Sequence, residues 1–125
     1  MSLDEDEILA AALGTAASRR LKKNVLEVDL VLAIAPAAAA KRTRQVLDEL
    51  GNELDCRDDG ETPESQIVAV VPSGSGGLNP AVVTVTIRAA DDGGSKLVVR
   101  GAAKEGLIRQ RAGEAAARRV ASALA

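Results

Sequence analysis

Two spacings of hydrophobic residues divide the chain into segments of different type. Between Val25 and Ala35 every second residue is aliphatic, a period of two that indicates a half-buried strand. Residues 81–90 and 95–102 alternate in the same way and are predicted to be two further strands. The inward-facing residues of these strands are Leu26, Val28, Leu30, Leu32, Ile34, Val83, Val85, Ile87, Leu97 and Val99.

Two shorter segments, residues 53–57 and 66–71, are predicted to be strands as well. The connection 91–94, with the sequence DDGG, is short enough to be a hairpin between the strands on either side of it. Two other stretches have the chemistry of turns and loops, namely 58–63, which contains Asp58-Asp59-Gly60 and Pro63, and 73–80, SGSGGLNP.

Three segments have the spacing typical of helices, and they are predicted over residues 3–22, 36–50 and 106–124. Ser2 and Glu5 match a capping box at the start of the first helix, whose last turn is basic. Pro36 is tolerated in the first turn of the second helix, and Gly51 ends it. In the third helix apolar residues recur every fourth position, at Ile108, Ala112, Ala116, Val120 and Leu124.

The predicted order is α-β-α-β-β-β-β-α. Consecutive strands with short connections pair antiparallel, so we expect an α+β fold: a sheet of four to five antiparallel strands with helices packed on one face. Residues 1–125 are expected to form one domain, with residues 1–24 as an N-terminal helix at its periphery. The second sheet face would keep several valines, which predicts partial cover by the first helix or by a second subunit. These valines are Val31, Val68, Val70, Val82 and Val98.

The composition adds an unusual constraint on this core. Hydrophobic residues make up 46% of the chain, yet none is Phe, Trp or Tyr. We therefore expect a core of aliphatic residues in which Ala-rich helices lie close to the sheet. The chain has no His and one Cys, which excludes a Ser-His-Asp triad, an imidazole metal site and an internal disulfide.

The net charge of −2 conceals a difference between the two halves of the chain. Residues 1–64 carry a net charge of −6 and residues 65–125 a net charge of +4. Attraction between two parts of one domain is the favoured interpretation, and a basic surface for an anionic partner is the alternative.

The sequence indicates a bacterial protein of the cytoplasm that does not bind a membrane. The longest apolar run, Leu30–Ala40, is shorter than the roughly 20 residues that a membrane span needs. The acidic N-terminal residues differ from a signal peptide, and a lone thiol suits a reducing compartment. The excess of Arg over Lys and the abundance of Ala are typical of GC-rich bacteria.

The residues that could act as a nucleophile, a metal site or a phosphate site are explained more simply by structural roles. Cys56 has no His, and its neighbour Arg57 is a poor base, so a small hydrophobic residue in a strand is favoured over a nucleophile. The acidic stretch 55–64 lacks the spacing of an EF-hand, and SGSGG is not followed by the Lys of a P-loop. We therefore expect no enzyme activity, no metal site and no cofactor.

From Val25 onward the chain resembles small bacterial helix-grip (START-like) domains of unknown function. A long strand leads through Pro36 into a helix, hairpin strands follow, and the run 99–106 leads into a last helix with Arg118-Arg119-Val120. Larger helix-grip proteins hold an apolar ligand between the sheet and the long helix. The resemblance thus implies, as one alternative, a small apolar ligand lined by Leu30, Leu32, Val85, Val99, Ile108 and Ala112.

A second resemblance, in residues 103–118, is to the basic, Ala-rich last helix of double-stranded-RNA-binding domains. It implies, as another alternative, RNA binding through Lys104, Arg109 and Arg111. The His-containing loop and the dense Lys cluster of those domains are absent here. The leading prediction is therefore a non-catalytic domain that binds a protein partner or a second copy of itself, with a homo-oligomer expected and nucleic acid disfavoured.

Overall fold

The computed structural model describes residues 4–13, 22–57, 64–73, 79–105 and 111–125. Helices and strands follow one another in the predicted order, which confirms the α+β class. The elements are α1 (Glu5–Leu13), β1 (Lys22–Leu32), α2 (Pro36–Leu50), β2 (Asn52–Arg57), β3 (Glu64–Ser73), β4 (Asn79–Ala89), β5 (Ser95–Glu105) and α3 (Ala112–Leu124).

The five strands form one antiparallel sheet with the spatial order β1-β5-β4-β3-β2. Strands β3, β4 and β5 are neighbours in chain order, as their short connections predict. Strand β1 does not pair with β2 but with β5, along its whole length from Lys22–Glu105 to Leu32–Ser95. The first and last strands of the chain are thus neighbours, and β1 and β2 are the two edges of the sheet.

The main core lies between one face of the sheet, called here the core face, and helices α2 and α3. The inward residues predicted on β4 and β5 are all buried there, and the even-numbered residues of β1 from Leu26 to Leu32 are half-buried against them. Helix α2 contributes Ala39, Thr43, Val46 and Leu47, as its spacing predicts. Helix α3 contributes Ala112, Ala116, Ala117, Val120, Ala121 and Leu124.

Close contact replaces bulky side chains where α3 crosses the sheet. A Cβ atom on Gly101 of β5 would overlap the carbonyl oxygen of Gly113 in α3 and would lie 2.8 Å from the backbone nitrogen of Ala117. A Cβ atom on Gly113 would likewise overlap the carbonyl oxygen of Asn24 in β1. The helix backbone therefore rests directly on β1 and β5, which is how a core without aromatic residues reaches close packing here.

Helix α1 packs on the opposite side of the sheet, called here the second face. Its Ile8 and Leu9 form a small buried cluster with Val68 of β3 and Val82 of β4. Val70 packs against the cluster and is partly buried. The expectation that the first helix covers valines of the second face is confirmed.

The boundaries of the first helix and strand differ from the prediction. Helix α1 is capped by Asp4, whose Oδ1 accepts a hydrogen bond from the Asp6 backbone nitrogen at 3.0 Å. Lys23 and Asn24, predicted to end this helix, belong to β1, where they pair with Lys104 and Ala103. Long-range pairing with β5 thus overrides the local charge pattern. Residues 14–21 and Ser2 lie outside the described residues.

The other elements are longer or shorter than predicted at their ends. Strand β3 extends to Ser73 and β4 begins at Asn79, so both enter the predicted loop 73–80, whose residues 74–78 lie outside the described part. Helix α3 begins at Ala112, because the preceding Arg111 has a left-handed backbone with φ of 51°. Ala115 and Ala123 lie on the exposed side of α3. Residues 106–110 lie outside the described part.

Candidate functional site

One carboxylate of α1 joins the helix to strands β1 and β5. The Glu5 oxygens accept hydrogen bonds from Arg100 Nε at 2.9 Å, from Arg100 Nη2 at 3.3 Å and from Lys23 Nζ at 2.9 Å. Lys23 Nζ also donates to Asp6 Oδ1 at 2.9 Å, and Arg100 Nη1 lies 3.6 Å from Glu27. These ion pairs form an acid–base cluster, called here the α1 clamp.

The α1 clamp changes the protonation of its members. Burial of Glu5 disfavours the charged form, but hydrogen bonds from Arg100 and Lys23 outweigh it, so the pKa of Glu5 lies below its usual value. The hydrogen bond from Lys23 lowers the pKa of Asp6. Hydrogen bonds to Glu5 and Asp6 raise the pKa of Lys23, and the bond to Glu5 raises that of Arg100. All four groups are charged at neutral pH, so the cluster is an ion-pair network between α1 and the sheet.

The part of the second face that α1 leaves uncovered contains an open groove of about 520 Å³. Val31 lies in it with 73% of its surface exposed and is the exposed large hydrophobic residue of the described chain. Arg88 and Glu64, paired across β4 and β3, form an ion pair on the opposite wall. The groove is lined by Glu27, Asp29, Leu30, Val31, Glu64, Thr86, Arg88, Lys96, Leu97 and Val98.

The β1 edge of the sheet is unusually regular. Its 11 residues contain no Pro and no Gly, and all of them pair with β5 without a register shift. In the part of the chain that the structure describes, no strand pairs with the outer side of β1. The other edge, β2, has six residues and a register shift between Glu53 and Asp55. Short length and bulges protect an edge from pairing, so β2 is protected by both and β1 by neither.

A second, shallower groove follows the β1 edge on the core face. It has a volume of about 290 Å³ and lies between Val28 and Leu30 of β1 and the last turns of α3. Arg118, Ala121, Ser122 and Ala125 line the helix side of it. The aliphatic residues of β1 are therefore only half-buried, because α3 does not extend past the edge strand.

The residues predicted to line an apolar ligand lie in or beside the main core. Val85, Val99 and Ala112 are fully buried in it, and Leu30 and Leu32 are half-buried at its β1 edge. Ile108 lies outside the described residues. Near Ala112 the direct contact of α3 with the sheet at Gly113 and Gly101 leaves no space between the two layers for a ligand.

The structure describes two of the three basic residues of the RNA hypothesis. Lys104 follows the buried Ala103 in β5 and so lies on the second face, whereas Arg111 precedes α3 on the core face. Arg109 lies outside the described residues.

The N-terminus of α3, where a phosphate would be expected to bind, is occupied by the chain's own side chains. Glu105 Oε1 accepts a hydrogen bond from the Ala112 backbone nitrogen at 3.2 Å, and Asn24 Oδ1 accepts one from the Glu114 nitrogen at 2.8 Å. Ser73 Oγ donates to the Ala112 carbonyl oxygen at 2.7 Å. Sequence reasoning did not find this cap, because two of its members are far from their partners along the chain. Ser73 is 39 residues away from Ala112, and Asn24 is 90 residues away from Glu114.

The structure places two of the remaining candidates, one in a strand and one in a turn. Cys56 lies in β2, as predicted. The described part of the chain contains no group of three or more acidic or Cys residues that could hold a metal ion. Asp92 accepts a hydrogen bond from the Gly94 nitrogen at 3.0 Å in the hairpin turn, where Gly93 has a φ of 85°. No helix in the described ranges is long and apolar enough to cross a membrane.

Comparison with known proteins does not assign a function. No family model and no curated protein match the chain. Among solved structures, the chain is similar to a Staphylococcus aureus protein of unknown function, SA2116, with a TM-score of 0.42 and 10% identity over 83% of each chain. The function is therefore argued below from the residues of this chain.

Proposed function

We propose that this chain is a non-catalytic domain of the bacterial cytoplasm that associates with a second copy of itself through β1. The observation that carries the proposal is a regular edge strand of 11 residues with whose outer side no described strand pairs. Exposed, long and regular edge strands pair readily with another strand, and natural proteins usually block them. A domain that leaves such a strand open therefore has a surface suited to association.

The two alternatives receive less support from the geometry. Apolar ligand binding requires space between α3 and the sheet, and at the first turn of α3 the backbone contact at Gly101 and Gly113 leaves none. RNA binding requires an accessible basic surface at the start of α3, and the Glu105 carboxylate lies there.

The proposal is tested by sedimentation velocity over a wide range of protein concentration. The wild-type chain is expected to shift reversibly from monomer to dimer as its concentration rises. Val25→Glu places a charge on the second face of β1 and is expected to weaken dimerisation. Ala37→Glu is the matched control, because it adds the same charge at an exposed position of α2, away from β1.

A wild-type chain that stays monomeric at the highest concentration reached would contradict self-association. Equal weakening of the dimer by Val25→Glu and Ala37→Glu would show that association depends on net charge and not on β1.

A further inference from the structure

The structure restricts how two β1 strands can meet, if the self-association proposed above is correct. Two copies related by a twofold axis perpendicular to the sheet bring their β1 strands together antiparallel, and this joins two five-stranded sheets into one. Residues directly opposite each other in such a pair lie on the same face. Odd-numbered residues of β1 therefore meet odd-numbered residues of the copy on the second face. These residues are Lys23, Val25, Glu27, Asp29 and Val31.

The charges on this face distinguish between the possible registers. Pairing centred on Glu27, Val28 or Asp29 places carboxylates directly opposite one another, which is destabilising. Pairing centred on Val25 or Leu26 instead places Lys23 opposite an acidic residue of the copy. Of these two, the register centred on Leu26 uses more of the strand, because it pairs Lys22–Leu30 rather than Lys22–Val28.

We infer that two copies of this chain pair antiparallel along β1 with Leu26 at the twofold axis. In this register Lys23 lies opposite Asp29 of the second copy, and the pair occurs twice by symmetry. Val25 lies opposite Glu27 of the second copy in the same way. On the core face the half-buried Leu26 side chains of the two copies face each other.

The two charged partners are available for this contact. Asp29 has no hydrogen-bond or ion-pair partner for its side chain among the described residues, and it is exposed. Lys23 uses its ammonium group for Glu5 and Asp6, and a Lys ammonium has three donors. The third donor is free for a carboxylate across the strand, and the raised pKa of Lys23 keeps the group charged. The α1 clamp thus orients one half of the proposed intermolecular ion pair.

The register is tested by two variants that place charges of opposite sign at position 25. Sedimentation velocity measures the dimerisation of each. Val25→Lys places an ammonium opposite Glu27 of the second copy, so the dimer is expected to tighten. Val25→Glu places like charges opposite each other, so the dimer is expected to weaken. Because the contact occurs twice, each shift is expected to be about two- to thirtyfold in the dissociation constant. The two variants lose the same valine side chain, so each controls for the packing change in the other.

The outcomes separate the register from association itself. Weakening by both variants overturns the register, because position 25 then faces its own copy, as it does when Val25 is at the axis. No effect of either variant on a wild-type dimer places the interface elsewhere and overturns the inference, while the proposed self-association stands. A wild-type monomer overturns both.

A second measurement detects the Lys23–Asp29 contact directly. A zero-length carbodiimide reagent joins an amine to a carboxylate that it touches, so the wild-type dimer is expected to give a covalent dimer linked between these residues. Asp29→Asn is expected to remove that linkage. Asp48→Asn, the same change on the exposed side of α2, is expected to leave it unchanged. A covalent dimer that persists at full yield in Asp29→Asn and lacks this linkage in the wild type would overturn the inference.

Discussion

Glu5 is the residue on which the position of α1 depends most. Among the described side chains of α1, Ile8 and Leu9 are the ones buried against the sheet, and an isolated helix of this length is marginal in water. The side chain of Glu5 is only 15% exposed and bonds to Lys23 and Arg100, which lie on β1 and β5. Its partial burial makes these bonds stronger than those of a fully exposed surface pair.

Replacing Glu5 by Gln is expected to lower the free energy of unfolding at neutral pH by about 1 kcal/mol, because Lys23 and Arg100 lose their charged partner. The effect is measured by urea denaturation. Glu7→Gln is the control, since Glu7 is an exposed acid of the same helix, and a change within about 0.5 kcal/mol is expected there.

The wild type and Glu5→Gln are also expected to differ in how their stability depends on pH. The folded-state pKa of Glu5 is lower than the ordinary value of 4.5, so folding favours the charged form. The stabilisation is therefore present above pH 4.5 and is lost as the pH falls through the folded-state pKa. The difference in unfolding free energy between wild type and Glu5→Gln is expected to shrink over this acid range, and a constant difference would contradict the role of the ionised carboxylate.

At the scale of elements, the local pattern predicted the type of each segment more accurately than its boundaries. The period of two in β1 and β4 and the helical spacing after Pro36 follow from which residues face the core, so the sequence shows them. The ends depend on distant partners. Asn24 resembles a helix stop but pairs with Ala103, and α3 begins after Arg111 because its first nitrogens bond to Glu105 and Asn24.

The contact between α3 and β5 supplies a test at this scale. Gly101→Ala is expected to destabilise the fold by about 2 kcal/mol or more, because the new methyl group overlaps the backbone of α3 at Gly113. Gly93→Ala is the comparison, since no atom lies within 4 Å of its Cβ position and only the φ of 85° opposes the change. A cost of about 1 kcal/mol is expected there. If chemical denaturation shows that Gly101→Ala lowers the free energy of unfolding less than Gly93→Ala does, the close packing of α3 on β5 is contradicted.

At the scale of the whole molecule, the α+β class and the element order were predictable, but the order of strands in the sheet was not. Chain proximity indicates that β3, β4 and β5 are neighbours, whereas nothing local indicates that β1 lies beside β5 rather than β2. The candidate surface follows from that order, since it decides which strand is an open edge. The sequence therefore predicted self-association from the valines of the second face, without indicating that β1 would carry it.

Association and folding are linked at this scale. If the folded chain dimerises and the unfolded chain does not, raising the protein concentration stabilises the fold by mass action. The midpoint of thermal unfolding is therefore expected to rise with concentration for the wild type and to rise less for Val25→Glu. Scanning calorimetry over a concentration series measures both, and a wild-type midpoint independent of concentration would contradict the link.

The position of β1 beside β5 also sets the order of events during synthesis. Strand β1 leaves the ribosome before every other strand, yet its partner is the last strand of the sheet to be made. Its row of Leu and Val residues thus remains without its native partner while about seventy further residues are added, at roughly 5–20 residues per second. During those seconds β1 on neighbouring nascent chains can meet, so the strand proposed to join two folded copies is also the segment that a chaperone would be expected to shield first.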